Sequence, residues 1–159
     1  MTDSIGMDVT GAVAVITLNR PDRHNAMDNA MSAAFGEAIS AAQDDPEVRA
    51  ILLRGEGQSF CTGRDTAALG VRAPGVSDFA HVSKSQKRKF QILDSQKPFV
   101  AAIRGYAIGG GCELALQCDI RVASETAKFS LPEIDHGIIT DGDAGHDDRA
   151  ATDPDIGAD

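Results

Sequence analysis

The chain has 159 residues and a formal net charge of −9, with 42% apolar and 25% charged residues, the size and balance of one soluble globular domain. That balance carries no nucleic-acid footprint, and no apolar run approaches the roughly 20 residues of a membrane-spanning helix. Met1 to Gly6 is polar, without the basic start and apolar centre of a signal peptide, so a cytoplasmic protein is expected.

Gly11 to Asn19 opens the ordered part. Val13, Val15 and Thr17 alternate with Ala14, Ile16 and Leu18, so both faces are fairly apolar and a strand buried on two sides is expected. Arg20-Pro21-Asp22-Arg23 is a turn. Met27, Met31, Phe35, Ile39 and Ala42 fall at helical spacing, which predicts a helix from Met27 to about Gln43 with Asn25 or Asp28 as its cap. Asp44-Asp45-Pro46 stops it.

Ala50 to Leu53 is a second strand, closed by Gly55 and Gly57. Ser59 to Gly63 is a short extended piece that leads into Arg64-Asp65, and residues 69–75 read as a loop. From Ser77 to about Leu93 the helical stripe is weaker, with Phe79, Val82, Phe90 and Leu93 on one side. Lys84, Lys87, Arg88 and Lys89 make the other face basic, either as a solvated surface or as a contact for a phosphorylated ligand.

Val100 to Glu113 is the most informative stretch. A short apolar run ends in a turn at Gly105. Ala107 and Ile108 then lead into Gly109-Gly110-Gly111, with Glu113 one turn later and Leu114-Ala115-Leu116 continuing as a helix. Glycine lets a backbone approach a ligand closely, and the first turn of a helix presents N–H groups without internal partners. That combination suits an anionic oxygen beside a carboxylate, although glycines also serve tight packing. A phosphate loop is disfavoured because its Lys-Ser/Thr ending is absent. Ile120 to Ala123 and Ala127 to Ser130 are further strands, and Glu133 follows at a strand end or in the next turn. Strands alternate with helices, so the fold class is α/β.

Residues 141–159 hold seven Asp, one Arg and no Lys, with Ile156 as the single large aliphatic. Such a segment buries too little to offset its ordering entropy, so a domain over 1–140 and a disordered acidic tail over 141–159 are expected. Cys61, Cys112 and Cys118 are an odd number at spacings that suit buried reduced thiols. No metal site is expected, since Cys112, Cys118 and His136 would make an unusual zinc ligand set.

Four ordered segments carry a resemblance. They are Val13-Ala14-Val15-Ile16-Thr17-Leu18-Asn19-Arg20-Pro21, Ser59-Phe60-Cys61-Thr62-Gly63-Arg64-Asp65, the run Gly105 to Ile120, and Phe129-Ser130-Leu131-Pro132-Glu133-Ile134. Together they resemble the enoyl-CoA hydratase/isomerase (crotonase) superfamily across residues 9–140. The resemblance implies a ββα-spiral core and an oxyanion hole built from the backbone N–H groups of Arg64 and Gly110. It implies Glu113 and Glu133 as the acid–base pair of a hydratase that adds water to a trans-2-enoyl-CoA. Glu113 is assigned to the water and Glu133 to the α-proton. An isomerase, or other enolate chemistry on an acyl-CoA, is the alternative; a non-catalytic acyl-CoA-binding protein is a third reading.

By the same resemblance, acyl-CoA is the partner and no cofactor is required beyond the CoA of the substrate. The adenine would lie along Cys61, Thr62, Gly63 and Asp65, beside Gly109, with Arg20 and Arg23 as phosphate contacts. Phe79, Val82 and Phe90 would line the acyl pocket. Family members continue past this point with C-terminal helices that close the site and build trimers or hexamers. The match here stops near Ile139, so a core lacking that helical region and an exposed apolar face are expected. Arg64 also stands where a smaller residue is common, which would bring its side chain to the mouth of the site.

Overall fold

A computed structural model describes residues 3–68 and 92–132. The expected segment from Ser77 to Leu93 lies almost wholly outside the described residues, as do residues 69–75, Glu133, Ile134 and the tail over 141–159. Seven strands and two α-helices are described: β1 (Ile5–Thr10), β2 (Val13–Leu18), α1 (Asn29–Asp44), β3 (Ala50–Gly55), β4 (Phe99–Ile103), β5 (Tyr106–Ile108), α2 (Gly110–Gln117), β6 (Ile120–Ala123) and β7 (Lys128–Ser130).

Five strands form one sheet in the order β1-β2-β3-β4-β6. β1 runs antiparallel to β2, and the other neighbours are parallel. β5 and β7 make a second, two-stranded parallel sheet. Parallel neighbours need crossovers, and here α1 supplies one between β2 and β3 while β5 and α2 supply another between β4 and β6. The fold is therefore α/β, as the alternation of elements implies.

β2 is buried less evenly than its sequence suggests. Ala14, Ile16 and Leu18 are fully buried, whereas Val13 and Val15 are half-buried. Ile51, Leu53, Phe99, Ala101 and Ile103 continue the buried set along β3 and β4. α1 lies against β1 and β2 and contributes Met31, Ala34, Phe35, Ala38, Ile39 and Ala42. Each large side chain so buried contributes about 1.5–3 kcal/mol, which is what holds the helix on the sheet.

The cap of α1 is Asp28, whose carboxylate accepts from Met31 N at 2.8 Å. At the other end Lys97 Nζ donates to Ala42 O at 2.9 Å and to Asp45 O at 2.5 Å. A cation at the last carbonyls also complements the helix dipole. Across the molecule, β6 exposes Ile120 and Val122, and β7 exposes Phe129. Among the described residues, no helix is long and apolar enough to cross a membrane.

Candidate active site

Two segments converge beside α2. Cys61 pairs with β5, donating its N–H to Tyr106 O at 3.0 Å and accepting Ile108 N at 3.0 Å. This lays the chain after Cys61 alongside the start of α2. Gly63 sits there at φ +83°, and a Cβ on it would stand 2.8 Å from Gly110 N and 2.9 Å from Ile108 O. Only glycine fits both the dihedral and the space. On the other side, a Cβ on Gly110 would lie 3.6 Å from Gly63 Cα and 3.9 Å from Arg64 N. The backbone nitrogens of Arg64 and Gly110 therefore face one small volume.

Their directions follow from planar trans peptides, in which the C=O and the N–H point opposite ways. Gly63 O accepts Met27 N at 2.8 Å, so the Arg64 N–H points away from Met27. Gly109 O accepts Glu113 N at 3.0 Å along α2, so the Gly110 N–H points back out of the helix start. Neither N–H donates to another of the described residues. Two donors this close together, one of them at a helix N-terminus, could serve an oxygen that gains negative charge.

Glu113 lies in the first turn of α2 and is half-buried. It is three residues from Gly110, on the same face, and helical side chains lean towards the N-terminus. Glu133, its expected partner, lies outside the described residues.

The remaining expected contacts divide. Arg23, Thr62 and Asp65 line an open cleft of about 300 Å³, together with Asp22, His24, Ala26, Arg64 and Thr66. The Arg64 side chain is exposed in it and donates from Nη2 to Asn29 Oδ1 at 2.5 Å. Gly63 and Gly109 do not line the cleft; they shape the donor site, and Gly109 N donates to Ser130 O at 2.8 Å. The Cys61 side chain is fully buried, and burial pushes its thiol up to about 11. All three cysteines are buried, none in a disulfide. Arg20 faces inward: its guanidinium meets Ala26 O at 2.7 Å and the carboxylates of Asp28 and Asp65 at 3.1 Å each. Asp65 is held below the ordinary carboxylate range, first by the Ala67 N–H and then by Arg20. Among the described residues, no group of three or more His, Cys, Asp or Glu is arranged for a metal ion.

His24 escapes a reading of the sequence, and Asn25, expected as a possible helix cap, instead supports the turn while Asp28 caps the helix. Both adopt positive φ, at 50° and 57°, a conformation that Asn and His tolerate better than most side chains. Asn25 is fully buried; its amide donates to Glu56 O and Ser59 O, and its carbonyl accepts Arg20 N. His24 Nδ1 lies 3.0 Å from Ser59 Oγ. Ser59 is buried, so this pair fixes the turn and exposes no nucleophile.

Residues 8–148 match the family described as Enoyl-CoA hydratase/isomerase. The short-chain-enoyl-CoA hydratase of Clostridium acetobutylicum is 36% identical over 146 residues, covering 86% of this chain and 52% of that protein. The carnitinyl-CoA dehydratase of Salmonella enteritidis is 40% identical over 142 residues, covering 89% and 53%. The crystal structure of an enoyl-CoA hydratase/isomerase from Xanthobacter autotrophicus Py2 superposes with a TM-score of 0.77 at 38% identity, covering 84% and 51%. The chain spans about half the length of the curated relatives it matches. On these matches the chain belongs to the enoyl-CoA hydratase/isomerase family.

Proposed function

We propose that the site adds water to a trans-2-enoyl-CoA, giving a 3-hydroxyacyl-CoA. The observation that carries this reading is the convergence of Arg64 N and Gly110 N on one volume. A thioester oxygen placed there draws electron density from the conjugated double bond, which makes the β-carbon electrophilic. As water adds, the charge collects on that oxygen as an enolate, and the two N–H groups stabilise it. Removing one such donor typically costs about 3 kcal/mol of barrier. Glu113 takes the proton from the attacking water, and Glu133 gives a proton to the α-carbon. Both relatives named above carry names for this water chemistry, one in each direction.

The substrate is an acyl-CoA, with CoA as its only nucleotide part and no metal or redox group in the reaction. The cleft beside Arg64 carries Arg23 and His24 together with Asp22 and Asp65, and its cations are the groups proposed for the phosphates of such a ligand. Reduced buried thiols fit a cytoplasmic protein, and we place it there. A homotrimer or hexamer is the assembly proposed for it.

A short enoyl-CoA supplied to the full chain tests the reading, followed by loss of the conjugated enoyl absorbance. Glu113→Gln and Glu133→Gln are each expected to slow hydration on the order of 10²–10⁴-fold. Unchanged turnover in both variants would remove the acid–base assignment. Migration of the double bond in place of hydration would favour the isomerase that the family's description also covers. Binding of acyl-CoA without turnover would favour a carrier.

A further inference from the structure

Met27 is the grip on which the Arg64 donor depends. Its N–H reaches Gly63 O at 2.8 Å and its O accepts Asp65 N at 3.0 Å, so it holds the residues on both sides of Arg64. This is an isolated bridge, outside any named strand. Thr62 N–H donates to His24 O at 3.1 Å along the same two segments, and the direction of the Arg64 N–H follows from the Met27 bridge through the planar 63–64 peptide.

Arg20 brackets that bridge. Its Nη1 donates to Ala26 O at 2.7 Å and lies 3.1 Å from Asp28 Oδ2. These residues flank Met27. Its Nη2 donates to Asp65 Oδ2 at 3.1 Å, across the bridge. The backbone of Arg20 is in turn planted on buried Asn25, whose Oδ1 accepts Arg20 N at 2.8 Å. The side chains of Arg20 and Asp65 are 21% and 13% exposed, so solvent screens this pair less than a surface one. A guanidinium fork reaches both sides at once, whereas an ammonium is a single point of charge.

We propose that Arg20 is a positioning residue that clamps residues 26–28 to residues 63–65 and so aims the Arg64 N–H at the thioester oxygen. The proposal rests on the reading of Arg64 and Gly110 as the site of that oxygen. It assigns Arg20 to the aim of a donor, not to a phosphate of the ligand.

The test compares two probes on the full chain: butyryl-CoA and the butyl-CoA thioether, which has the same chain and CoA but no carbonyl oxygen. The wild type is expected to bind the thioester about tenfold more tightly than the thioether, roughly the discrimination of one or two hydrogen bonds. Arg20→Gln is expected to lose most of that preference while its affinity for the thioether stays within about twofold. The thioether thereby reports that the cleft is still folded. Arg20→Lys is expected to behave like Arg20→Gln, because charge without the fork does not bridge both sides. Asp65→Asn, which leaves Arg20 itself in place, is expected to give the same loss. Equal weakening of both probes in Arg20→Gln, with recovery in Arg20→Lys, would show a phosphate contact and overturn the proposal. A preference retained in Arg20→Gln and Asp65→Asn would overturn it as well. A wild type with no preference would instead contradict the thioester-oxygen reading, and the proposal would fall with it.

Discussion

The two donors proposed for the thioester oxygen lie close together but are held by different means. The Gly110 N–H is aimed by α2, an eight-residue helix whose first turn fixes the 109–110 peptide through Gly109 O and Glu113 N. The Arg64 N–H is aimed by an isolated bridge to Met27, bracketed by Arg20, Asp28 and Asp65. One half of the oxygen site is therefore a main-chain property of a regular element. The other half is held by the backbone bonds of a single bridge, which the proposed clamp of Arg20, Asp28 and Asp65 brackets. Loss of a charge is expected to disturb only the second half, and loss of the glycine contact to disturb both.

The largest break in this comparison is Gly63→Ala. Its Cβ would stand 2.8 Å from Gly110 N, at φ +83°, so it pushes on both donors together. The expected loss of hydration rate is on the order of 10²–10³-fold, measured on a short enoyl-CoA. A near-normal rate would mean that the two segments do not meet as described. Next in size is the roughly tenfold loss of carbonyl preference in Arg20→Gln, which leaves the Gly110 donor in place.

The last effect, no larger than that of Asp65→Asn and reached only in acid, is protonation of Asp65. The folded-state pKa of Asp65 is depressed, so its contribution is fully present above the ordinary aspartate value of about 3.9 and is lost only as pH falls through the lower folded value. The ratio of thioester to thioether affinity is expected to hold from neutral pH to about 4 and to decline below it. Taking the ratio cancels the titration of the ligand. In Asp65→Asn that step disappears. A decline centred well above the ordinary aspartate range would contradict the assignment of Asp65 to the clamp.

Much of the framework is legible in the sequence because burial is written as periodicity. The four-residue spacing from Met31 to Phe35 and Ile39 marks α1, and the alternation in Val13–Leu18 marks β2. The helix begins two residues later than its apolar pattern does. Met27 belongs to the bridge with Arg64, and Asp28 caps the first turn. β1 is invisible by the same rule: only Ile5 is buried, and the strand is set by its pairing with β2. The Gly109-Gly110-Gly111 run announces the start of α2, since helix starts and glycines are local features.

The site is less legible wherever it depends on distant partners. Arg20 reads as part of a turn and, by the resemblance, as a phosphate contact, because no local pattern shows that its guanidinium meets Asp65, 45 positions away. Cys61 reads as a contact, yet its side chain is enclosed by Asn25 O and Gly63 N, and its N–H and O pair with β5. His24 and Asn25 matter through positive φ, which the residue types permit but do not announce. The positions of Arg64 and Gly63 came from the resemblance. Their physical reason, the approach of Gly63 to Gly110, appears only in three dimensions.

The central claim is that Arg64 N–H and Gly110 N–H together polarise one carbonyl oxygen. Infrared difference spectroscopy of a thioester labelled with ¹³C at that carbonyl, bound to the full chain, tests it directly. The account predicts a carbonyl stretch that moves to lower wavenumber on binding, with a smaller displacement in Arg20→Gln. A bound thioester whose carbonyl stretch stays at its solution position would contradict it.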